Sequence, residues 1–363
     1  MSKIISIGTA VPQFRHEQED IMHFMKTVYA LPDTEYRKLK YLYHHSGIDT
    51  RYSVVGDYSR PMNEWKFYPR SENLEPFPNI EGRMQWFNRY AAPLSVDAIR
   101  KCLEQRSEKE ITHLITVSCT GMSAPGLDLQ IMELMDLPRN IQRTSVNFMG
   151  CYAAIHAMKM ADAICRSDIH ATVLIVCTEL CTLHFQKGAT FDNIASSLLF
   201  ADGSAAILIC PDDVPVKGLK IENFYAEIVP KGKKDMSWEL SSSGFVMSLS
   251  NYVPDLINDD IAPLMQRALE KSGITENEIT HWCIHPGGKR ILEAVQNGLG
   301  LESGQLDASY RILRHFGNMS SASILFVLKE IMQHVQHGES NRIFGLAFGP
   351  GLTMETFLAT SVS

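Results

Sequence analysis

The feature that most constrains this chain is an internal repeat. Ile111-Thr112-His113-Leu114, preceded by Ser107-Glu108-Lys109-Glu110, reappears as Ile279-Thr280-His281-Trp282, preceded by Thr275-Glu276-Asn277-Glu278. His113 and His281 are 281 − 113 = 168 residues apart, and Gly150-Cys151 finds its counterpart in Gly317-Asn318 at 318 − 151 = 167. One offset at two distant landmarks implies a duplicated supersecondary unit. Apolar strands fit Leu114–Val117, Ser145–Phe148, Ala171–Val176, His281–Ile284 and Ile343–Ala347, and the opening Met1–Gly8 reads as a first strand. Amphipathic helices fit Ala92–Glu104, Tyr152–Cys165, Ile261–Lys271 and Ile324–His334. The alternation specifies an α/β fold made of two duplicated halves. We place them at 1–215 and 216–363, with Tyr58–Asn79 as an irregular excursion. Phe200–Ala206 and Phe348–Thr353, each with glycine between apolar runs, read as hairpins.

With 45% hydrophobic and 21% charged residues, the 363-residue chain has the composition of an ordered protein with a large core. A net charge of -7 argues against a nucleic-acid partner, which calls for a basic stripe. No uncharged apolar run approaches the roughly 20 residues of a membrane span. The start lacks the sections of a secretory signal, so the expected location is cytoplasmic. The eight cysteines lack disulfide-scaffold or paired CxxC spacing and are expected to be reduced and mostly buried. His281, Cys283 and His285 share one strand face, but without a second ligand set we assign no metal.

Duplication places equivalent elements about a pseudo-twofold axis, where helices starting near Cys151 and Asn318 present unpaired N–H groups. His285 falls at the end of the strand begun by His281, where the chain must turn through Pro286-Gly287-Gly288. Alone, each has an ordinary structural reading: a buried thiol, a strand-end histidine, a helix-capping asparagine. Together they supply what carbon–carbon bond formation on a thioester needs, a nucleophile for an acyl group and two neutral donors for an enolate or oxyanion. A helix start and a nearby histidine are expected to lower the Cys151 pKa.

Five segments then carry a family resemblance: Gly150-Cys151-Tyr152-Ala153-Ala154, Phe200–Ala206, His285-Pro286-Gly287-Gly288, Gly317-Asn318-Met319-Ser320-Ser321-Ala322 and Phe348-Gly349-Pro350-Gly351-Leu352-Thr353. In order along nearly the whole chain, they resemble those of type III polyketide synthases of the chalcone synthase type, in particular bacterial ones. The resemblance implies the thiolase-like fold with five αβαβα layers. It implies a homodimer that extends an acyl-CoA starter with malonyl-CoA, with no cofactor beyond these CoA thioesters. Cys151 would carry the acyl group, while His285 and Asn318 would polarise the thioester and hold the enolate. Phe200 would gate the cavity; Met247, His184, Thr120 and Ser320 would contact substrate, and Lys38 and Gly288 the CoA.

Several positions depart from the plant-type pattern. Met247 stands for a second gate phenylalanine, His184 for a cavity threonine, and Ala124 for a methionine offered to the partner subunit. Tyr41 and His45 replace common cations. The alternatives are a ketoacyl synthase III-like enzyme using an acyl carrier protein, a non-catalytic thiolase-fold subunit and a cysteine hydrolase. His285-Pro286-Gly287-Gly288 disfavours the first, retention of all three reactive residues the second, and the absence of an evident partner to orient His285 the third.

Overall fold

The computed structural model describes residues 1–363 except 72, 105, 251, 336–340 and 363. Thirteen strands are described: β1 (Ser2–Ala10), β2 (Phe14–Glu17), β3 (Thr50–Ser53), β4 (His113–Ser118), β5 (Gln142–Asn147), β6 (Val173–Leu180), β7 (Asp202–Pro211), β8 (Gly218–Ile228), β9 (Met236–Ser241), β10 (Gly244–Leu249), β11 (His281–Ile284), β12 (Arg342–Gly349) and β13 (Thr353–Val362). Ten α-helices accompany them: α1 (Gln18–Val28), α2 (Asp33–His44), α3 (Ile80–Leu103), α4 (Leu127–Met135), α5 (Ala153–Ser167), α6 (Phe191–Leu199), α7 (Val253–Ser272), α8 (Lys289–Gly298), α9 (Asp307–Phe316) and α10 (Ser323–His334).

Nine strands form one sheet in the order β11-β12-β13-β8-β1-β7-β6-β4-β5. Apart from β5, which extends one edge only, the order is symmetric about the β8–β1 pair, where Ser2, Lys3 and Ile4 meet Ile221, Lys220 and Leu219. Outward from β1 come antiparallel β7 and β6, then parallel β4; outward from β8 come antiparallel β13 and β12, then parallel β11. The repeated strand directions are the duplication in three dimensions. The shared Ile-Thr-His motif marks the same joint in both halves, a single 3-10 turn (Glu108–Glu110, Glu276–Glu278) entering β4 or β11.

Every described side chain of β4, β6 and β7 is buried, as helices on both faces require. Three apolar cores separate the layers: α3 packs on the outer face of the β1–β7–β6–β4 half, while residues of α5 and α10 share a core with both halves. Residues of α7 and α8 cover the outer face of β11–β13. These are the five layers of the thiolase-like fold.

Phe200–Ala206 does not form a hairpin. Helix α6 hands the chain directly into β7, and Gly203 lies inside that strand. A Cβ on Gly203 would stand 2.4 Å from the Met319 sulfur, so the glycine serves close packing rather than turning. The second hairpin forms: Pro350–Leu352 join β12 to β13 with Gly349 opposite Thr353. Helices α3 and α7 begin earlier than expected, at Ile80 and Val253, with the Asn79 side chain accepting from the Gly82 N–H at 3.0 Å.

Candidate active site

A cavity of about 420 Å³ runs inward from α2 and α6, between the β9–β10 hairpin, the start of α7 and the start of α8. Cys151, His285 and Asn318 all line it. Outward along it stand Ile194, Leu198, Met236, Met247, Leu249 and Val253, a wall of aliphatic and thioether groups.

Three turns bring the reactive side chains together. Cys151 follows Gly150, whose φ of +82° and close approach to Pro350 wedge this turn of the first half against the β12–β13 hairpin of the second. It lies just before α5 rather than within its first turn. His285 leaves β11 with its N–H donating to the Leu346 carbonyl at 2.8 Å. Asn318 follows α9 through Gly317, φ +69°. It is stitched to the first half by its N–H donating to the Leu199 carbonyl and its carbonyl accepting from the Ala201 N–H, both at 2.9 Å.

Asn318 Nδ2 donates to the Gly287 carbonyl at 3.0 Å, and its Oδ1 accepts from the Ser320 N–H at 2.8 Å. The carboxamide is thereby oriented while its second Nδ2–H remains available. The Cys151 thiol donates to the Ser320 hydroxyl at 3.7 Å. Of the eight free cysteines, Cys151 is the one that is not fully buried. His285 is 1% exposed, and neither ring nitrogen has a hydrogen-bond partner. A buried imidazole without partners is rare in a finished core and is expected where a ligand completes the site.

Burial pushes the two reactive groups in opposite directions. Enclosure raises the Cys151 thiol to about 12, with the Glu179 carboxylate adding to the rise and the Ser320 and Asn318 contacts opposing it. The lowered thiol pKa expected from the sequence is therefore not found: desolvation of the thiolate outweighs the helix-end effect. Desolvation lowers His285 to about 3, so its imidazole is neutral around pH 7.

Of the remaining expected contacts, Phe200, Met247 and Gly288 line the cavity, but His184, Thr120, Ser320 and Lys38 do not. His184 Nε2 donates to the Thr120 carbonyl at 2.7 Å, its Nδ1 accepts from the Phe245 N–H at 3.1 Å, and its ring stacks on Phe245. Both nitrogens being engaged, it is a packing residue behind the wall; burial, aided by the Arg83 charge, lowers it to about 3. The Thr120 hydroxyl donates to the buried Glu179 carboxylate at 2.9 Å. Lys38 is exposed on α2, paired with Glu35 at 3.0 Å. Lys289 and Arg290 reach the cavity instead. Among the described residues, no three histidine, cysteine or acidic side chains gather as metal ligands.

The N-terminal domain model of chalcone and stilbene synthases matches residues 1–213, and the C-terminal domain model of the same family matches 220–363. The chain belongs to the chalcone and stilbene synthase family. It is a type III polyketide synthase, an acyl-transferring condensing enzyme of a family that uses CoA thioesters. It is 28% identical over 362 residues to an alpha-pyrone synthesis polyketide synthase-like protein of Mycobacterium tuberculosis, covering 98% of this chain and 90% of that one. A probable polyketide synthase of Dictyostelium discoideum is 29% identical over 98% of this chain, which spans only 11% of that much longer protein. Among solved structures, PKS-I of the brown alga Ectocarpus siliculosus superposes with a TM-score of 0.92 at 28% identity, over 99% of this chain and 98% of that one. The C-terminal type III domain of Steely1, a type I/III hybrid from Dictyostelium, gives 0.91 at 27%, over 100% and 99%.

Sequence reasoning missed most of this polyketide synthase's cavity wall. Met236 and Leu249 come from β9 and β10, short strands without a clean alternation, and Phe348 opens a segment whose glycines point to a hairpin rather than to a cavity contact. Lys289 and Arg290 follow His285-Pro286-Gly287-Gly288 directly, so their proximity to the site was the available signal.

Proposed function

We propose that Cys151 carries the growing chain and that His285 and Asn318 serve both chemical stages. In loading, the Cys151 sulfur attacks the carbonyl of an acyl-CoA starter as its proton passes to His285. The CoA sulfur leaves and recovers that proton, giving acyl-Cys151 and free CoA. In extension, malonyl-CoA loses carbon dioxide, and Nε2–H of neutral His285 with Nδ2–H of Asn318 holds the enolate oxygen. The enolate carbon attacks the acyl thioester, and the Cys151 thiolate leaves. The aliphatic wall favours loss of the malonyl carboxylate, and Phe200 and Met247 gate the passage.

The observation that carries this reading is the partnerless, neutral imidazole of His285, buried in one cavity with a thiol and an oriented carboxamide. An imidazole of this kind can donate to an enolate without quenching it. No cofactor is needed beyond the CoA thioesters.

A second copy is proposed to cover the β5 edge, where Gln142, Arg143, Ser145 and Asn147 are exposed beside Met122 and Leu134. An uncovered sheet edge invites pairing, and a twofold dimer closes it. No described helix is long and apolar enough to cross a membrane; we place the enzyme in the cytoplasm. Mass spectrometry of reactions containing malonyl-CoA and a panel of aliphatic and aromatic acyl-CoAs tests the function. Products heavier than the starter acyl group by successive two-carbon ketide units are expected. Hydrolysis of the starter alone would contradict condensation.

A further inference from the structure

Arg51, on β3, is a charged side chain that the condensation chemistry leaves unused. It is fully buried, yet its hydrogen bonds go to backbone carbonyls and not to a carboxylate. Nη1 donates to the Ser197 carbonyl and to the Phe200 carbonyl, each at 2.7 Å, while Nε and Nη2 have no partner. The nearby Asp202 carboxylate is already occupied by the Val54 and Thr182 N–H groups and the Thr182 hydroxyl. A guanidinium held dry in this way bears a desolvation cost that a buried arginine usually offsets with a bidentate carboxylate. An apolar side chain of similar volume would avoid that cost. What the charge supplies here is geometry.

Both carbonyls sit where α6 ends and β7 begins, the joint against which Asn318 is registered through an isolated parallel bridge to Phe200. The Leu199 carbonyl and the Ala201 N–H are taken by the Asn318 backbone, and the Phe200 carbonyl between them is taken by Arg51. Capping of α6 does not account for this second bond, because Phe200 is already extended at φ -80° and ψ 147°. The arginine stem also lies against the turn that delivers Asn318. A Cβ on Gly317 would stand 2.8 Å from Arg51 Cδ and 2.9 Å from its Cγ.

We propose that Arg51 is a positioning residue for the enolate-holding carboxamide: its head fixes the Phe200 backbone, its stem packs against Gly317, and the two together set where Asn318 Nδ2 stands. The side-chain bonds of Asn318 to Gly287 and Ser320 orient the amide, but all three residues belong to the second half. Arg51 and the joint it holds belong to the half that carries Cys151. The arginine therefore governs the spacing between the donor and the thiol rather than the direction of the donor alone. Such spacing matters, since a misplacement of about 1 Å costs up to about 10²-fold in rate. The proposal rests on the reading of Asn318 as an enolate donor.

The test is a double-mutant cycle on malonyl-CoA decarboxylation, followed as released carbon dioxide, with Arg51→Lys, Asn318→Ala and their combination in the full chain. Lysine keeps the charge but is shorter and lacks the planar fork, so the two carbonyls must shift to meet it. Arg51→Lys alone should slow decarboxylation by about 10- to 10²-fold, and acylation of Cys151 by hexanoyl-CoA by a smaller factor. In the Asn318→Ala background the same substitution should cost no more than about twofold, because the group it positions is gone. A merely structural role would slow both backgrounds alike. Gly317→Ala strains the same contact while leaving the charge in place; it should show the same dependence on Asn318, and it carries the test if circular dichroism shows Arg51→Lys to be unfolded. Equal losses in the two backgrounds, or wild-type decarboxylation in either Arg51→Lys or Gly317→Ala, would overturn the proposal. Unchanged decarboxylation in Asn318→Ala would overturn it together with the enolate reading, whereas a slowed Asn318→Ala beside an unaffected Arg51→Lys removes only the role of Arg51.

Discussion

Asn318 shows how neighbours fix the orientation of a single side chain. Its Oδ1 is occupied by the Ser320 N–H and one Nδ2–H by the Gly287 carbonyl, so the carboxamide cannot rotate to present oxygen to the cavity. Asn318→Ala removes the donor without opening the backbone stitch to Leu199 and Ala201. Malonyl-CoA decarboxylation, followed as released carbon dioxide, should slow by about 10²- to 10³-fold, the scale of one oxyanion donor. Acylation of Cys151 should persist; an unchanged decarboxylation rate would remove Asn318 from the enolate site. That Cys151, His285 and Asn318 meet in one cavity was legible because each stands beside a glycine or proline that forces a turn at the end of a regular element. The thiol pKa was not, because the desolvation that raises it comes from walls distant in sequence. His184 was misplaced for a related reason: the Thr120 carbonyl and Phe245 N–H that engage it lie about sixty residues away on either side.

At the scale of elements, the site depends on contacts between turns of opposite halves. The most exacting is Gly150 against Pro350, where an added Cβ would lie 2.1 Å from the proline Cδ and φ is +82°. Gly150→Ala must displace the Cys151 turn or the β12–β13 hairpin. The expected cost is about 1–3 kcal/mol in the denaturant midpoint, with acylation slowed by up to about 10²-fold if the sulfur shifts by an ångström. Wild-type values on both measurements would show that the turn accommodates the methyl group freely. Elements with strong periodicity were readable, among them β4, β11, α5 and α10. The β9–β10 hairpin was not, because its side chains are mostly only partly buried and lack a clear inward face. Ala201-Asp202-Gly203 resembled a turn because the need for glycine came from Met319, more than a hundred residues away.

For the whole molecule, duplication was the readable property, and the burial of titratable groups is a separate, measurable one. Burial lowers His16 to about 4 and both His184 and His285 to about 3, all from an ordinary 6.5. Their folded pKa values lie below the unfolded value, so between about pH 6 and 4.5 the unfolded chain binds these protons first and stability falls as pH falls. Asp202, raised by burial to about 6, and Glu179, also raised by burial, act in the opposite sense because their folded forms hold protons longer. Three histidines against one or two acids leave about one to two protons, or ~1.4–2.8 kcal/mol lost per pH unit in this range. Denaturant titrations at several pH values should show that slope, reduced by about one proton in His184→Gln. A slope indifferent to the substitution would contradict a neutral, buried His184. The central claim remains that the fold assembles one acyl-carrying site around Cys151. Its most direct test is intact-mass measurement after incubation with a competent acyl-CoA. Wild-type protein should gain one acyl mass, mapped to Cys151 by peptide analysis and absent from Cys151→Ala. An adduct of the same mass and extent on Cys151→Ala would contradict the account.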